Sequence, residues 1–383
     1  MPAYDAFLLL SFGGPEGPED VLPFLENVTR GRGVPQERLA EVAGHYHAYG
    51  GVSPINGQNR ALLKSIGAAF AANGIDLPLY WGNRNWHPFI EDTVRQMTAD
   101  GVRRAIAFVT SAYSSYSACR QYLDDIDRAV AAAGPDAPRI DKLRPYFNHP
   151  GFIEPFAAAV ERALAGLPAA AQENARLVFT AHSVPDRMAA VSGSVSARTA
   201  LPGAVGGRYA AELGEAARLI SQRVRRGSLP YDLVFQSRSG PPSVPWLEPD
   251  VNDHLAALAK GTLTSGTAVP VPSAVVVVPV GFVSDHMEVV HDLDVEAAKT
   301  AESVGLPFAR AAAPGPTPRF ATMVRELVAE RISGTVFTST GGTSTGGTST
   351  GPQALGSFGL GAFAGGADGC PADCCRYTLR RPA

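Results

Sequence analysis

Cysteine is scarce in this sequence of 383 residues: there are four, three of them after residue 369. That is too few for a disulfide scaffold, so in a reducing compartment a metal or redox role comes first. A strong charge of either sign is also lacking. Lys and Arg number 33 against 36 Asp and Glu, for a net charge of -3, which gives no basic footprint for nucleic acid. Long apolar runs are missing: Ala6–Leu10 and Ala274–Val278 fall far short of the roughly 20 residues that span a bilayer. The start, Met1–Asp5, has neither the basic region nor the apolar core of a secretory signal. The expectation is a cytoplasmic protein with no transmembrane segment. Nucleotide motifs are absent as well. Gly13-Gly14-Pro15-Glu16-Gly17 puts a proline and an acid where a phosphate would need amides. Ser183 lacks the Gly-x-Ser-x-Gly elbow of a hydrolase nucleophile.

What is present is alternation. Ala6–Leu10, Ala105–Val109, Leu177–Thr180, Leu233–Phe235 and Ala274–Val280 read as buried strands. Between them lie helical patterns over Ile90–Asp100, Cys119–Ala133, Ile153–Leu167, Tyr209–Val224 and Leu255–Lys260. Strand, helix, strand in repetition means right-handed βαβ units and parallel sheets. The strands are too many for one small sheet. They predict an α/β protein of two Rossmann-like domains, residues 1–145 and 146–314, with parallel sheets flanked by helices. A C-terminal helix over 315–334 follows, then a Gly/Ser/Thr-rich linker over 335–369 and a Cys-rich tail over 370–383. Ala190–Gly207, rich in small residues, reads as a surface loop.

Open parallel sheets bind ligands beyond the carboxyl ends of their strands. One such exit leads into Asp285, His286, Glu288, Asp292 and Glu296. On a helix starting at Asp285, Glu288, Asp292 and Glu296 fall at i, i+4 and i+8 on one face. Three like charges so stacked repel unless a cation sits among them. A solvated acidic face is the bland alternative, and the position after a buried strand favours the cation. His182, in Thr180-Ala-His-Ser-Val-Pro185, stands at another strand exit. Alone it is more often a structural histidine. Beside a carboxylate on a neighbouring strand end, it suits Fe, Zn, Co or Ni, or proton transfer near neutral pH.

Taken in order, Ser11-Phe-Gly-Gly-Pro15, Tyr49-Gly-Gly-Val-Ser-Pro54, Thr180–Pro185, Gln236-Ser-Arg-Ser-Gly240 with Trp246–Asp250, and Pro279–Glu288 resemble the ferrochelatases. The similarity runs from about residue 4 to residue 332. It implies insertion of Fe2+, as substrate, into a porphyrin in a cleft between the two domains. The polar entrance over 29–49 and the cysteines are most similar to the enzymes that use coproporphyrin III; protoporphyrin IX or Co/Ni chelation are the alternatives. A haem or iron carrier using the same cleft without turnover is the reading from a different class. By resemblance, His182 and Glu288 match the metal-site pair, and Asp292 and Glu296 an outer acidic row. Ser53 and Tyr122 match porphyrin contacts, with Arg30 and Tyr46 in the same wall. Phe12 stands on that wall where some relatives carry an iron-ligating tyrosine. Thr29 and His45 replace arginines that pair with propionates; Arg30, Arg32 and Arg84 are substitutes. A downstream haem-pathway enzyme is the implied partner.

Cys119, Cys370, Cys374 and Cys375 supply the four thiolates that a [2Fe–2S] cluster needs, and the linker is long enough to fold back. Relatives with one internal and three C-terminal cysteines carry such a cluster. Zinc is the metal alternative. A small buried Cys119 with an untethered tail is the bland reading.

Overall fold

The computed structural model describes residues 4–31, 33–194, 206–240, 243–333, 355 and 373–377. Among these, eight strands divide into two parallel sheets of four. The first holds β1 (Ala6–Ser11), β2 (Leu79–Asn83), β3 (Arg104–Val109) and β4 (Arg139–Lys142) in the order β2-β1-β3-β4. The second holds β5 (Ala175–His182), β6 (Tyr231–Gln236), β7 (Ala274–Val278) and β8 (Phe308–Arg310) in the order β6-β5-β7-β8. The two orders are the same permutation, so each sheet changes winding direction beside its first strand. Every residue of β1 and β7 is buried. That is why both read as unbroken apolar runs: helices cover the two faces of each sheet.

The first sheet is flanked by α1 (Val21–Val28), α2 (Gln36–His47), α3 (Ile55–Ala71), α4 (Ile90–Ala99) and α5 (Gln121–Ala133). Around the second lie α6 (Pro150–Ala165), α7 (Ala169–Gln172), α8 (Asp186–Ala190), α9 (Gly207–Ser221), α10 (Val251–Leu258), α11 (Met287–Val289) and α12 (Ala298–Ser303). The terminal helix α13 (Pro318–Ser333) packs on both α3 and α6. Its Phe320 ring sits 6.0 Å from Phe108, 6.0 Å from Tyr146 and 6.5 Å from Phe152. One apolar core therefore continues from Phe7 and Phe108 of the first sheet to Phe179 and Val278 of the second. Among the described residues no helix is long and apolar enough to cross a membrane.

Three local expectations change. The helix expected from Cys119 is entered through a π-turn, Tyr116–Arg120, before α5 begins at Gln121. The helix expected from Asp285 starts at Met287 and continues as a π-helix, Val290–Ala297. Within the stretch read as linker, Leu355 is tied to the body: its N–H donates to the Asn148 carbonyl at 2.9 Å, and Asn148 Nδ2 donates back at 3.2 Å. The rest of 335–369, most of the Ala190–Gly207 loop, Arg32 and Cys370 lie outside the described residues.

Candidate functional site

The crevice of the second sheet opens where β5 and β7 leave it in parallel. His182 is the last residue of β5, and Glu288 sits in α11 on the chain leaving β7. What brings them together is Gly281. A Cβ there would lie 2.6 Å from Ala181 Cβ and 2.7 Å from its Cα, so only glycine lets the chain from β7 cross this close to β5. Gly281 N–H then donates to the Thr180 carbonyl at 3.0 Å.

His182 Nε2 lies 3.7 Å from Glu288 Oε1, and the second Glu288 oxygen is 3.9 Å from His286 Nδ1. His182 Nδ1 is 2.5 Å from the Ser183 carbonyl, which can only accept. Nδ1 therefore carries a proton, and the neutral ring aims its Nε2 lone pair at a carboxylate. A lone pair facing an anion calls for a proton or a metal ion between them. Burial pushes the His182 pKa down, but Glu288, the Ser183 carbonyl and Asp292 together raise it. His286 is depressed by its burial and by His182, against the pull of Glu288 and Asp285.

The acidic row runs outward along the π-helix. Asp292 accepts from the Ser237 hydroxyl, and from Gln236 Nε2 at 3.4 Å. Its carboxyl is nevertheless pushed up to about 7, first by burial and then by the charges of Glu288 and Glu296. Glu296 is 3.5 Å from His291 Nε2. The wider π winding still leaves the three carboxylates on one side, with Asp292 turned toward the end of β6.

The first domain supplies the opposite wall. His45, near the end of α2, stacks on His291 at 3.8 Å. Burial, and after it the charges of Glu288 and Asp292, raise the Tyr46 hydroxyl pKa. Phe24 joins Tyr46, Phe12 and Trp86 edge to face at 5.9, 6.3 and 6.2 Å. Phe12 is 38% exposed, so its ring is open to solvent on this wall. Arg30 is exposed at the end of α1. Ser53 and Tyr122 are both buried, at 3% and 5% exposed. Ser53 packs against Gly14, and the Arg84 guanidinium covers the Tyr122 ring at 3.8 Å. Arg84 is also held by Asp125 at 2.5 Å, so it is engaged in the interior rather than offered to a propionate.

Two residues read from the sequence only as part of a motif, with no site role, help build this site. Gln236, 1% exposed, donates from Nε2 to the Glu288 carbonyl at 2.9 Å. Ser237 takes a left-handed backbone (φ 59) to aim its hydroxyl at Asp292. Their position at the exit of β6, beside His182 in the sheet, was the available signal.

The described thiols, Cys119, Cys374 and Cys375, are all buried. Cys374 and Cys375 Sγ are 3.7 Å apart, a spacing two ligands of one tetrahedral metal would have. Cys375 accepts from Gly193 N–H at 3.1 Å. Tyr377 packs 6.0 Å from Tyr116, which opens the π-turn that carries the buried Cys119. Among the described residues no group of three or more His, Cys, Asp or Glu is arranged to hold a metal ion. Cys119, Cys374 and Cys375 are therefore not brought together as one metal-binding group.

Two parallel α/β units with a histidine–carboxylate pair at the switch point define a chelatase-type protein. The ferrochelatase family model matches residues 4–332, and the chain belongs to the ferrochelatase family. It is 54% identical over 334 residues to the coproporphyrin III ferrochelatase of Streptomyces coelicolor, covering 86% of this chain and 85% of that one. To the coproporphyrin III ferrochelatase of Nocardia farcinica it is 56% identical over 333 residues, covering 87% and 89%. Among solved structures, SirB from Bacillus subtilis with Fe3+ is similar at a TM-score of 0.47 and 14% identity, covering 85% and 96%.

Proposed function

We propose that this protein inserts Fe2+ into coproporphyrin III in the cytoplasm, with His182 and Glu288 at the point of transfer. The observation that carries the reading is the 3.7 Å gap between His182 Nε2 and Glu288 Oε1, a cation-seeking pair opposite an exposed aromatic wall. Two protein ligands with open positions suit an ion in transit rather than one in storage. Metalation breaks two pyrrole N–H bonds and forms four Fe–N bonds, releasing two protons with no change of oxidation state. His182 Nε2 accepts the first proton. Glu288 takes the second and passes it along Asp292 and Glu296 toward solvent. Phe12 and Tyr46 hold the macrocycle, bending it so that its nitrogen lone pairs leave the plane. Arg30 meets a propionate at the rim. Ser53 and Tyr122 shape the wall from beneath.

Anaerobic mixing of protein, Fe2+ and coproporphyrin III, followed by the porphyrin spectrum, tests this. His182→Ala and Glu288→Gln should each lose about a hundredfold or more in turnover, with porphyrin affinity retained because the walls do the binding. Substantial metalation by His182→Ala would overturn the assignment. Repeating the assay with protoporphyrin IX ranks the substrates, and conversion of many equivalents separates an enzyme from a carrier.

The same reading gives Cys119, Cys370, Cys374 and Cys375 a [2Fe–2S] cluster, supported by the 3.7 Å sulfur pair and the N–H from Gly193. Its role is structural or sensory, since metalation moves no electrons. Protein purified without oxygen should be reddish-brown, with about two non-porphyrin irons per chain. Colourless, iron-free and fully active protein refutes this.

A further inference from the structure

The C-terminal thiol turn and the metal-site histidine are joined by a short run of hydrogen bonds. Cys375 grips Gly193 from both sides: its Sγ accepts the Gly193 N–H at 3.1 Å, and its own N–H donates to the Gly193 carbonyl at 3.1 Å. Cys375 is fully buried and takes a left-handed backbone (φ 53), so the grip is made at a definite conformation.

The neighbouring residue, Ser192, is also fully buried. Its hydroxyl donates to the Ala189 carbonyl at 2.6 Å and accepts the Tyr209 N–H at 2.9 Å. Tyr209 lies in the first turn of α9, where backbone N–H groups have no partner within the helix. The residue at the N-cap is Gly206, which has no side chain to offer. Ser192 therefore acts as a substitute cap from outside the helix and fixes its first turn.

From that turn the Tyr209 hydroxyl donates to the His182 carbonyl at 3.0 Å. The Tyr209 ring is braced 6.2 Å from Tyr113, whose own hydroxyl donates to the Val280 carbonyl at 2.8 Å. Val280 lies on the chain leaving β7, just ahead of Gly281. The two tyrosines together hold both strand exits that meet at His182 and Glu288.

We propose that Tyr209 is a positioning residue for His182, and that docking of Cys375 on Gly193 fixes it through Ser192. The thiol turn thus bears on iron handling through chain geometry. The proposal rests on His182 being the metal-site histidine, and its test separates the two.

Three variants of the full-length protein are compared. Tyr209→Phe keeps the ring and removes only the hydroxyl. Ser192→Ala removes the substitute cap without touching a thiol. Cys375→Ala removes the sulfur that holds Gly193. Each is read by amide hydrogen exchange and by anaerobic metalation of coproporphyrin III at varied Fe2+. Cys375→Ala should speed exchange over 190–194 and also over 207–212, and Ser192→Ala should reproduce the second effect. Tyr209→Phe should leave 190–194 unchanged and lower kcat/KM for Fe2+ about five- to tenfold, at unchanged coproporphyrin affinity. Faster exchange confined to 190–194 in Cys375→Ala, with none at 207–212 in Ser192→Ala, overturns the link. Wild-type iron kinetics in Tyr209→Phe overturn the positioning. If His182→Ala still metalates, the metal-site reading falls while the exchange data judge the link independently.

Discussion

Asp292→Asn should make the metal-free protein more stable at pH 8 than at pH 5, relative to wild type. The Asp292 carboxyl titrates near 7 in the folded chain because it is buried and lies between Glu288 and Glu296. In the unfolded chain an aspartate titrates near 3.9. Between those values the native state binds more protons than the unfolded one, so stability falls as pH rises from about 4 to about 7. The difference is about 3 pH units, or about 4 kcal/mol against the folded state at pH 8 and about 1.5 kcal/mol at pH 5. Water entering the cleft reduces both figures, so the contrast is better taken as about 2 kcal/mol. Asparagine is nearly the same shape and still accepts from Ser237 and Gln236, so the change removes charge and little else. Thermal unfolding in chelator at the two pH values reads the effect. At about 2 °C per kcal/mol for a chain of this size, the gain in Tm should be roughly 4 °C larger at pH 8. An equal gain at both pH values, or none at either, would refute the view that Asp292 is held in the fold at a cost. The same logic makes a divalent ion at this site bind more tightly as pH rises through 7, because the ion replaces the proton.

Two further outcomes concern the frame around the site. Glu212 is fully buried, paired with Arg208 at 2.6 Å, and accepts from the Ser114 N–H and hydroxyl at 2.7 and 2.8 Å. Glu212→Gln should cost about 3–5 kcal/mol in urea unfolding, and Glu212→Leu combined with Arg208→Met should recover much of it; a larger loss in the double variant contradicts an ion pair as the cause. Phe320→Ala, which empties the junction of the two sheets, should cost about 3–5 kcal/mol. A loss under 1 kcal/mol would mean that α13 does not join them.

The sequence by itself determined the five apolar strands β1, β3, β5, β6 and β7, their division between two parallel sheets and the exits at which chemistry would be found, but not the more polar or shorter β2, β4 and β8. Those features depend on local hydrophobic runs, and a strand buried on both faces, such as Ala274–Val278, shows itself without reference to its neighbours. The placement of His182 and Glu288 was legible for the same reason: one ends a readable strand and the other lies on the chain leaving one. Only the tertiary structure decided which residues hold them. Gln236 reaches the Glu288 carbonyl across 52 positions, and Tyr209 reaches His182 across 27. A strand exit marks Gln236 as a candidate, but no local pattern says which group it or Tyr209 will reach. Arg84 looked available until the fold set Asp125 beside it, 41 residues away. The π winding of Val290–Ala297 likewise has no signature in the composition of that stretch. It is the packing of Leu293 and Ala297 under the second sheet, with Asp292 drawn to Ser237, that sets where the acidic row points.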